Sequence, residues 1–302
     1  MTTQGMAQDD AGIVHVDGAQ LRYRIEGRGQ PCLVVGSSVC YPRVFSQQLR
    51  EHLRLAFADL RHFAEPQHFA SADPSLSPDR ISIDTYADDI ERVRQALGLG
   101  EMVVIGHSVH GVIALEYARR HPGHVLGVVA IGAFPRGSDE YPAAGERLWE
   151  AEASQERKEI VARRLAALTP EVRATLSAAE IVVREDVAYG PEKWFDPAYD
   201  SSWLWEGVVF DMPVFERLFG ELFKSYDLAQ GPRQVMVPVL IAHGRYDYST
   251  PYTLWEEHRH KLARHTYALF ERSGHFPSFE EPDRFDQTLL AWVHGLDTPD
   301  GG

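Results

Sequence analysis

The run Met102-Val103-Val104-Ile105-Gly106-His107-Ser108-Val109-His110-Gly111 decides how this 302-residue chain is read. Four consecutive apolar residues, Met102 to Ile105, fit a strand buried on both faces. They lead directly into Gly106-x-Ser108-x-x-Gly111 and then into a helical stretch that ends near His121. A serine at such a strand-to-helix turn has its oxygen held clear of the backbone. The helix N-terminus behind it offers N–H groups and the positive end of a dipole to a developing oxyanion. A serine hydroxyl is a poor nucleophile without a base, so the same run implies a histidine and a carboxylate elsewhere in the chain.

Outward from this turn, strands and helices alternate. Ile13 to Glu26 reads as two short strands around Asp17-Gly18, a hairpin signal that gives the sheet an antiparallel edge. Cys32 to Val35 is a second apolar run, followed by a polar loop and by a predicted amphipathic helix from about Arg43 to Leu53. Leu55 to Ala58 is a further buried strand, and a loop rich in Pro, Ser and Asp then runs to about Ser82. A helix is expected from Thr85 to Leu97, with Ile90, Val93 and Leu97 on one face and Gly98 after it, and a strand from Val125 to Ile131. The alternation resumes with a strand at Val237 to Ala242, a helix opening at Thr250-Pro251, a strand near Tyr267 to Phe270 and a last helix from near Pro282. This order argues for a mostly parallel, eight-stranded sheet with helices on both faces.

Between about Phe134 and Pro232 the pattern changes to helices rich in Ala, Glu and Arg and then to an aromatic stretch without a buried strand. The expected division is a core of residues 1–133 and 233–302, interrupted by a helical cap at 134–232. Ser177 and Glu180 have the spacing of a helix capping box. The tail from Asp297 to Gly302 is expected to fray.

Composition narrows the function. A hydrophobic fraction of 44% and a charged fraction of 25% suit a globular chain with a large core. The formal charge of −14 opposes attraction to phosphate backbones and anionic lipid, so neither nucleic acid nor membrane is an expected partner. The opening MTTQGMAQDD has no basic or apolar leader pattern, which gives a cytoplasmic expectation. Cys32 and Cys40 lack disulfide-framework and metal-ligand spacing and are expected to be reduced. No metal and no organic cofactor is called for, and the sequence leaves the oligomeric state open.

Three separated motifs resemble those of the α/β-hydrolase family, and the resemblance runs from the hairpin to the final helix. They are the elbow Gly106-His107-Ser108, the strand end Ala242-His243-Gly244-Arg245-Tyr246-Asp247, and the loop Ser273-Gly274-His275-Phe276-Pro277. The resemblance implies an α/β-hydrolase fold with Ser108 as nucleophile, Asp247 as the orienting acid and His275 as general base, in the family's chain order. His107 and His243 read as supporting residues beside strand ends, and His62 and His68 as loop residues with a possible pocket role.

Two positions depart from the family's pattern. The oxyanion hole needs two N–H donors, the first of which falls on Val109. The second normally follows a His-Gly pair, but here the loop reads Gly36-Ser37-Ser38-Val39. Strand length favours the N–H of Ser38, or that of Ser37 if the register slips by one. At the elbow, His110 stands where glycine is usual, either packed beneath the turn or reaching the acyl pocket.

A pocket roof is expected from the aromatic stretch, with Trp203 and Trp205 as substrate-binding residues beside His110. A serine nucleophile argues against dehalogenase and epoxide hydrolase chemistry, which use aspartate at that position. The expected activity is cleavage of a small, largely apolar carboxylic ester or lactone through an acyl-enzyme. The alternative is a prolyl-aminopeptidase-like amide hydrolase using Glu206, Asp211 and Glu216 to hold an amine, and a third reading is a small-molecule receptor on the same fold.

Overall fold

The computed structural model describes residues 10–65, 77–137, 140–230 and 234–296. Its eight strands are β1 (Asp10–Val16), β2 (Ala19–Gly27), β3 (Gln30–Gly36), β4 (Leu53–Asp59), β5 (Met102–His107), β6 (Val125–Ile131), β7 (Val239–Gly244) and β8 (His265–Phe270). They form one sheet in the order β1-β2-β4-β3-β5-β6-β7-β8. β1 and β2 pair antiparallel around Asp17-Gly18, β2 pairs antiparallel with β4, and every later pairing is parallel.

The apolar runs of the central strands follow from burial on both faces. Leu33, Val35 and Val104 pack with the layer containing α1 (Ile83–Ala96) and α2 (Val109–Arg120). Their sequence neighbours Cys32, Val34, Val103 and Ile105 pack into the opposite cluster with Phe285, Leu289 and Val293. α1 begins two residues earlier than the apolar spacing predicts, because Ser82 and Thr85 make a reciprocal capping box.

The segment between β6 and β7 holds α3 (Glu140–Glu152), α4 (Gln155–Ala166), α5 (Pro170–Arg173), α6 (Ala178–Ala188), α7 (Met212–Arg217) and α8 (Phe223–Ser225). The expected Ser177–Glu180 capping box opens α6: Ser177 Oγ accepts from the Glu180 N–H at 3.3 Å and Glu180 Oε2 accepts from the Ser177 N–H at 2.8 Å. A π-helical turn at Leu218–Leu222 joins α7 to α8. After β7 come α9 (Leu254–His258), then α10 (Pro277–Glu280) and α11 (Pro282–Leu296) after β8.

One predicted element is absent. Residues 43–53 form no α-helix; two short 3₁₀ turns, Tyr41–Arg43 and Gln48–Glu51, precede β4. The Arg50 guanidinium explains the difference, because it donates to the carbonyls of Pro42, Phe45 and Ser46 at 2.9, 3.0 and 2.6 Å. Its Nε donates to Glu26 at 2.6 Å, anchoring the loop to β2. Carbonyls that a continuous helix would satisfy from its own backbone are satisfied by a side chain instead. His68 and the tail from Asp297 lie outside the described residues.

Candidate active site

Ser108 follows β5 and caps α2 with φ 56° and ψ −127°, and it is the one non-glycine residue of positive φ among those described. Such a backbone is costly for a residue with a Cβ and persists only where its surroundings fix it. Here the Ser108 N–H donates to the Ile131 carbonyl at 2.7 Å and the Ser108 carbonyl accepts from the Gly111 N–H at 3.0 Å. Gly106 is required by the same turn, since a Cβ there would lie 2.2 Å from the carbonyl oxygen of His110.

Asp247 and His275 come from the loops after β7 and β8. Asp247 is fully buried, and its Oδ2 lies 2.6 Å from Nδ1 of His275. Oδ1 accepts from the Thr250 N–H at 2.8 Å and the Ser249 hydroxyl at 2.9 Å, and Oδ2 accepts from the Thr250 hydroxyl at 2.5 Å. Burial by itself pushes this carboxyl up, but the His275 imidazole and the Thr250 hydroxyl outweigh it and hold Asp247 below its ordinary value. The helix expected to open at Thr250-Pro251 begins instead at Leu254, after Thr253, because Thr250 is committed to the Asp247 carboxylate. The His275 N–H donates to the Lys193 carbonyl at 2.6 Å, which ties the histidine loop to the inserted segment.

Ser108 and His275 line one cavity of about 220 Å³. Val109, Ser37, His110 and Trp205 line it as well. Ser38 and Trp203 do not. The Ser38 N–H, the donor favoured from strand length, is donated to Asp59 Oδ1 at 2.6 Å and is not available to a substrate. Asp59 is fully buried at the end of β4, directly paired with Gly36, and its other oxygen accepts from Arg22 at 2.7 Å. Ser37 is the serine that reaches the cavity, its Oγ accepting from the Cys40 N–H at 3.1 Å. Trp203 turns away, its Nε1 donating to the Tyr199 hydroxyl at 2.9 Å while its ring packs near Phe279.

His110 is 5% exposed and also forms part of the cavity wall. Glycine at the end of β3 makes the room: a Cβ on Gly36 would lie 2.8 Å from His110 Nδ1 and 2.2 Å from the Tyr41 ring. The imidazole belongs to a buried chain whose direction follows from donor accounting. His107 Nε2 lies 2.9 Å from the His275 carbonyl, which can only accept, so His107 carries its proton on Nε2. His107 Nδ1 is then the acceptor for the Tyr41 hydroxyl at 3.3 Å, and the Tyr41 oxygen accepts from His110 Nδ1 at 2.6 Å. His110 Nε2 accepts from His62 Nε2 at 3.0 Å, leaving only the Nδ1 lone pair of His62 without a partner. The reverse direction strands an N–H at His62 Nδ1 and leaves His107 Nδ1 without a donor. Burial depresses all three histidines, His62 to about 3 and the others well below the ordinary imidazole value, so the chain is neutral.

Sequence reasoning missed several cavity residues: Tyr41, Phe63, Phe276, Asp186 and Lys193. Phe276, beside His275, stacks on His107 at 4.2 Å and on Trp194 at 4.7 Å. Asp186 lies in the last turn of α6 and is ion-paired with Lys193, and its Oδ2 accepts from Trp205 Nε1 at 3.0 Å. Nothing in the local sequence separates these two charges from the other charged residues of a surface helix. The three carboxylates proposed from sequence to hold an amine lie elsewhere. Asp211 is buried as the N-cap of α7, bonded to the Val214 N–H at 3.3 Å, while Glu206 and Glu216 are exposed and outside the cavity. Cys32 and Cys40 are free and buried, and burial raises both thiols, Cys40 to about 12. Among the described residues, no helix is long and apolar enough to cross a membrane.

Sheet order, elbow and cavity define a hydrolase fold, and the comparisons agree. The family of the alpha/beta hydrolase fold matches residues 66–282, and the chain belongs to this family. It is 36% identical over 284 residues to the AB hydrolase superfamily protein YclE of Bacillus subtilis, an alignment covering 94% of this chain and 98% of that protein. It is 25% identical over 299 residues to a proline iminopeptidase of Heyndrickxia coagulans, covering 91% and 95% of the two chains. Among solved structures, an esterase from Exiguobacterium antarcticum superposes with a TM-score of 0.67 at 21% identity, covering 96% of this chain and all of that one.

Proposed function

We propose that the protein is a serine hydrolase that cleaves a small carboxylic ester or lactone through an acyl-enzyme. The observation that carries this reading is the meeting, in one cavity, of a strained serine at a helix N-terminus with an imidazole oriented by a buried carboxylate. In the mechanism, His275 Nε2 takes the Ser108 proton as Oγ attacks the acyl carbon, while Asp247 fixes the tautomer through Nδ1 and stabilises the imidazolium. The N–H groups of Val109 and Ser37 receive the oxyanion. His275 then protonates the leaving oxygen, and water repeats the sequence to release the acid.

Ester or lactone is favoured over an N-terminal amino acid by the placement of the carboxylates. An aminopeptidase needs an acidic group free to pair with the substrate amine. The acidic group that the inserted segment brings to the cavity, Asp186, is already paired with Lys193 and bonded to Trp205. Read this way, the segment acts as a cap, and the amide reading is the weaker one.

The test is turnover of p-nitrophenyl esters, γ- and δ-lactones and proline β-naphthylamide by the wild type and by Ser108→Ala. Ester or lactone turnover that Ser108→Ala abolishes, with one fluorophosphonate label per wild-type chain, is the expected result. Preferential release of naphthylamine would establish the peptidase alternative. Saturable binding of esters without turnover would support a receptor.

A further inference from the structure

Apart from the triad and the histidine chain, the cavity's strongest polar feature is the Lys193–Asp186 pair, and its hydrogen bonds are unevenly used. Asp186 has both oxygens engaged, one by Lys193 Nζ and the other by Trp205 Nε1. Lys193 has three N–H donors and, among the described residues, a single acceptor, Asp186 Oδ1. Both side chains are partly exposed, 21% for Lys193 and 24% for Asp186, and both line the cavity that holds Ser108. The Lys193 backbone is fixed independently, since its carbonyl accepts from the His275 N–H at 2.6 Å. The neighbouring carbonyls of Pro191 and Trp194 accept from the buried Arg157 at 2.7 and 2.8 Å. The ammonium therefore stands on a backbone joined to the loop of the general base.

We infer that Lys193, held by Asp186, is a substrate-specificity residue that hydrogen-bonds an uncharged oxygen, a carbonyl or hydroxyl, carried by the substrate away from the bond that is cleaved. The inference rests on the ester-hydrolase reading and deepens it. Charge selects the neutral partner. The ion pair is already balanced, so a substrate carboxylate meets Asp186 as a like charge and a substrate ammonium meets Lys193 as one. A neutral acceptor uses the spare N–H donors without disturbing that balance, and hydrogen bonds from a charged donor are the stronger kind. Among the other wall residues, Phe63, Val182, Phe215, Phe219 and Phe276 are apolar and cannot supply such a bond, and the Ser249 hydroxyl is given to Asp247 Oδ1 at 2.9 Å.

The test compares substrates matched in length. The wild type should hydrolyse p-nitrophenyl 4-oxopentanoate and 5-oxohexanoate with kcat/KM about tenfold or more above the pentanoate and hexanoate. Lys193→Met combined with Asp186→Asn, which leaves no unpaired charge, should bring those ratios close to one. Asp186→Asn alone, which keeps an oxygen for Trp205 and the ammonium, should retain them. Calorimetric binding of methyl 4-oxopentanoate and methyl pentanoate to the Ser108→Ala protein gives a readout that needs no turnover. If no ester is turned over but the oxo ester binds about tenfold more tightly, the hydrolase reading fails and the subsite stands. Equal affinity for the two methyl esters, or ratios unchanged in the double variant, overturns the subsite. Preferential binding of an ammonium- or carboxylate-bearing analogue in place of the oxo ester overturns it as well.

Discussion

The Tyr41 oxygen lies 2.6 Å from Nδ1 of His110, joining the loop after β3 to the first turn of α2 beneath Ser108. His110 therefore has partners on both ring nitrogens, Tyr41 and His62, and a place in the cavity wall. Replacing it affects stability and selectivity together.

His110→Gly should cost about 3 kcal/mol of unfolding free energy, from the lost ring, two broken buried hydrogen bonds and glycine in a helix. Because the ring lines the cavity, the ratio of butyrate to acetate kcat/KM should rise by about fivefold or more. Denaturant unfolding and ester kinetics check the two parts separately. A loss near 1 kcal/mol with an unchanged ratio would mean that the ring neither bonds nor bounds the pocket.

Asp247→Asn should reduce kcat by about three to four orders of magnitude, because an amide cannot hold the imidazole in the tautomer that accepts the serine proton. It should also destabilise the fold by about 2 kcal/mol, since the carboxylate accepts from Thr250 N–H and from the hydroxyls of Thr250 and Ser249. An amide NH2 must face one of those donors. Unchanged stability beside a large loss of rate would show that the loop re-forms its hydrogen bonds around Asn.

The buried histidines make the fold acid-labile, and the direction follows from their depressed values. A histidine neutral when folded binds its proton only in the unfolded chain, so its contribution is complete above the ordinary value of about 6.5. That contribution is lost as pH falls toward the folded value, about 3 for His62 and about 4 for His243. At pH 5 each such residue should cost about 2 kcal/mol relative to pH 7. Unfolding measured between pH 7 and 5 should weaken steeply in the wild type and less in His62→Gln. Identical slopes for the two proteins would show that His62 is not buried neutral.

Of the two tryptophans read from sequence as substrate-binding, only Trp205 lines the cavity. Trp205→Ala should raise KM or change acyl preference and free one oxygen of Asp186. Trp203→Ala should act on stability, through the lost Tyr199 bond and Phe279 packing, with substrate preference retained. Equal changes in preference for both would argue that the whole Ser202–Trp205 turn moves with substrate.

The sequence by itself determined the alternating parallel sheet, the serine turn after β5, the order of Ser108, Asp247 and His275, and the capping box that opens α6. Each is written in residues close together in the chain, as unbroken apolar runs, a glycine-flanked turn or a Ser-x-x-Glu spacing. The tertiary structure decided what depends on distant partners. Asp59, 21 residues along and paired with Gly36 across β3 and β4, takes the Ser38 N–H and leaves the cavity to Ser37. His62 reaches His110 across 48 residues, and Arg50 takes the carbonyls that a helix over 43–53 would have used. Asp186, Lys193 and Trp205 meet because three separate stretches of the chain between β6 and β7 come together at the cavity. Local patterns record the hydrogen-bonding period of a strand or helix, whereas donor competition and charge pairing are settled only when packing brings the partners within about 3 Å.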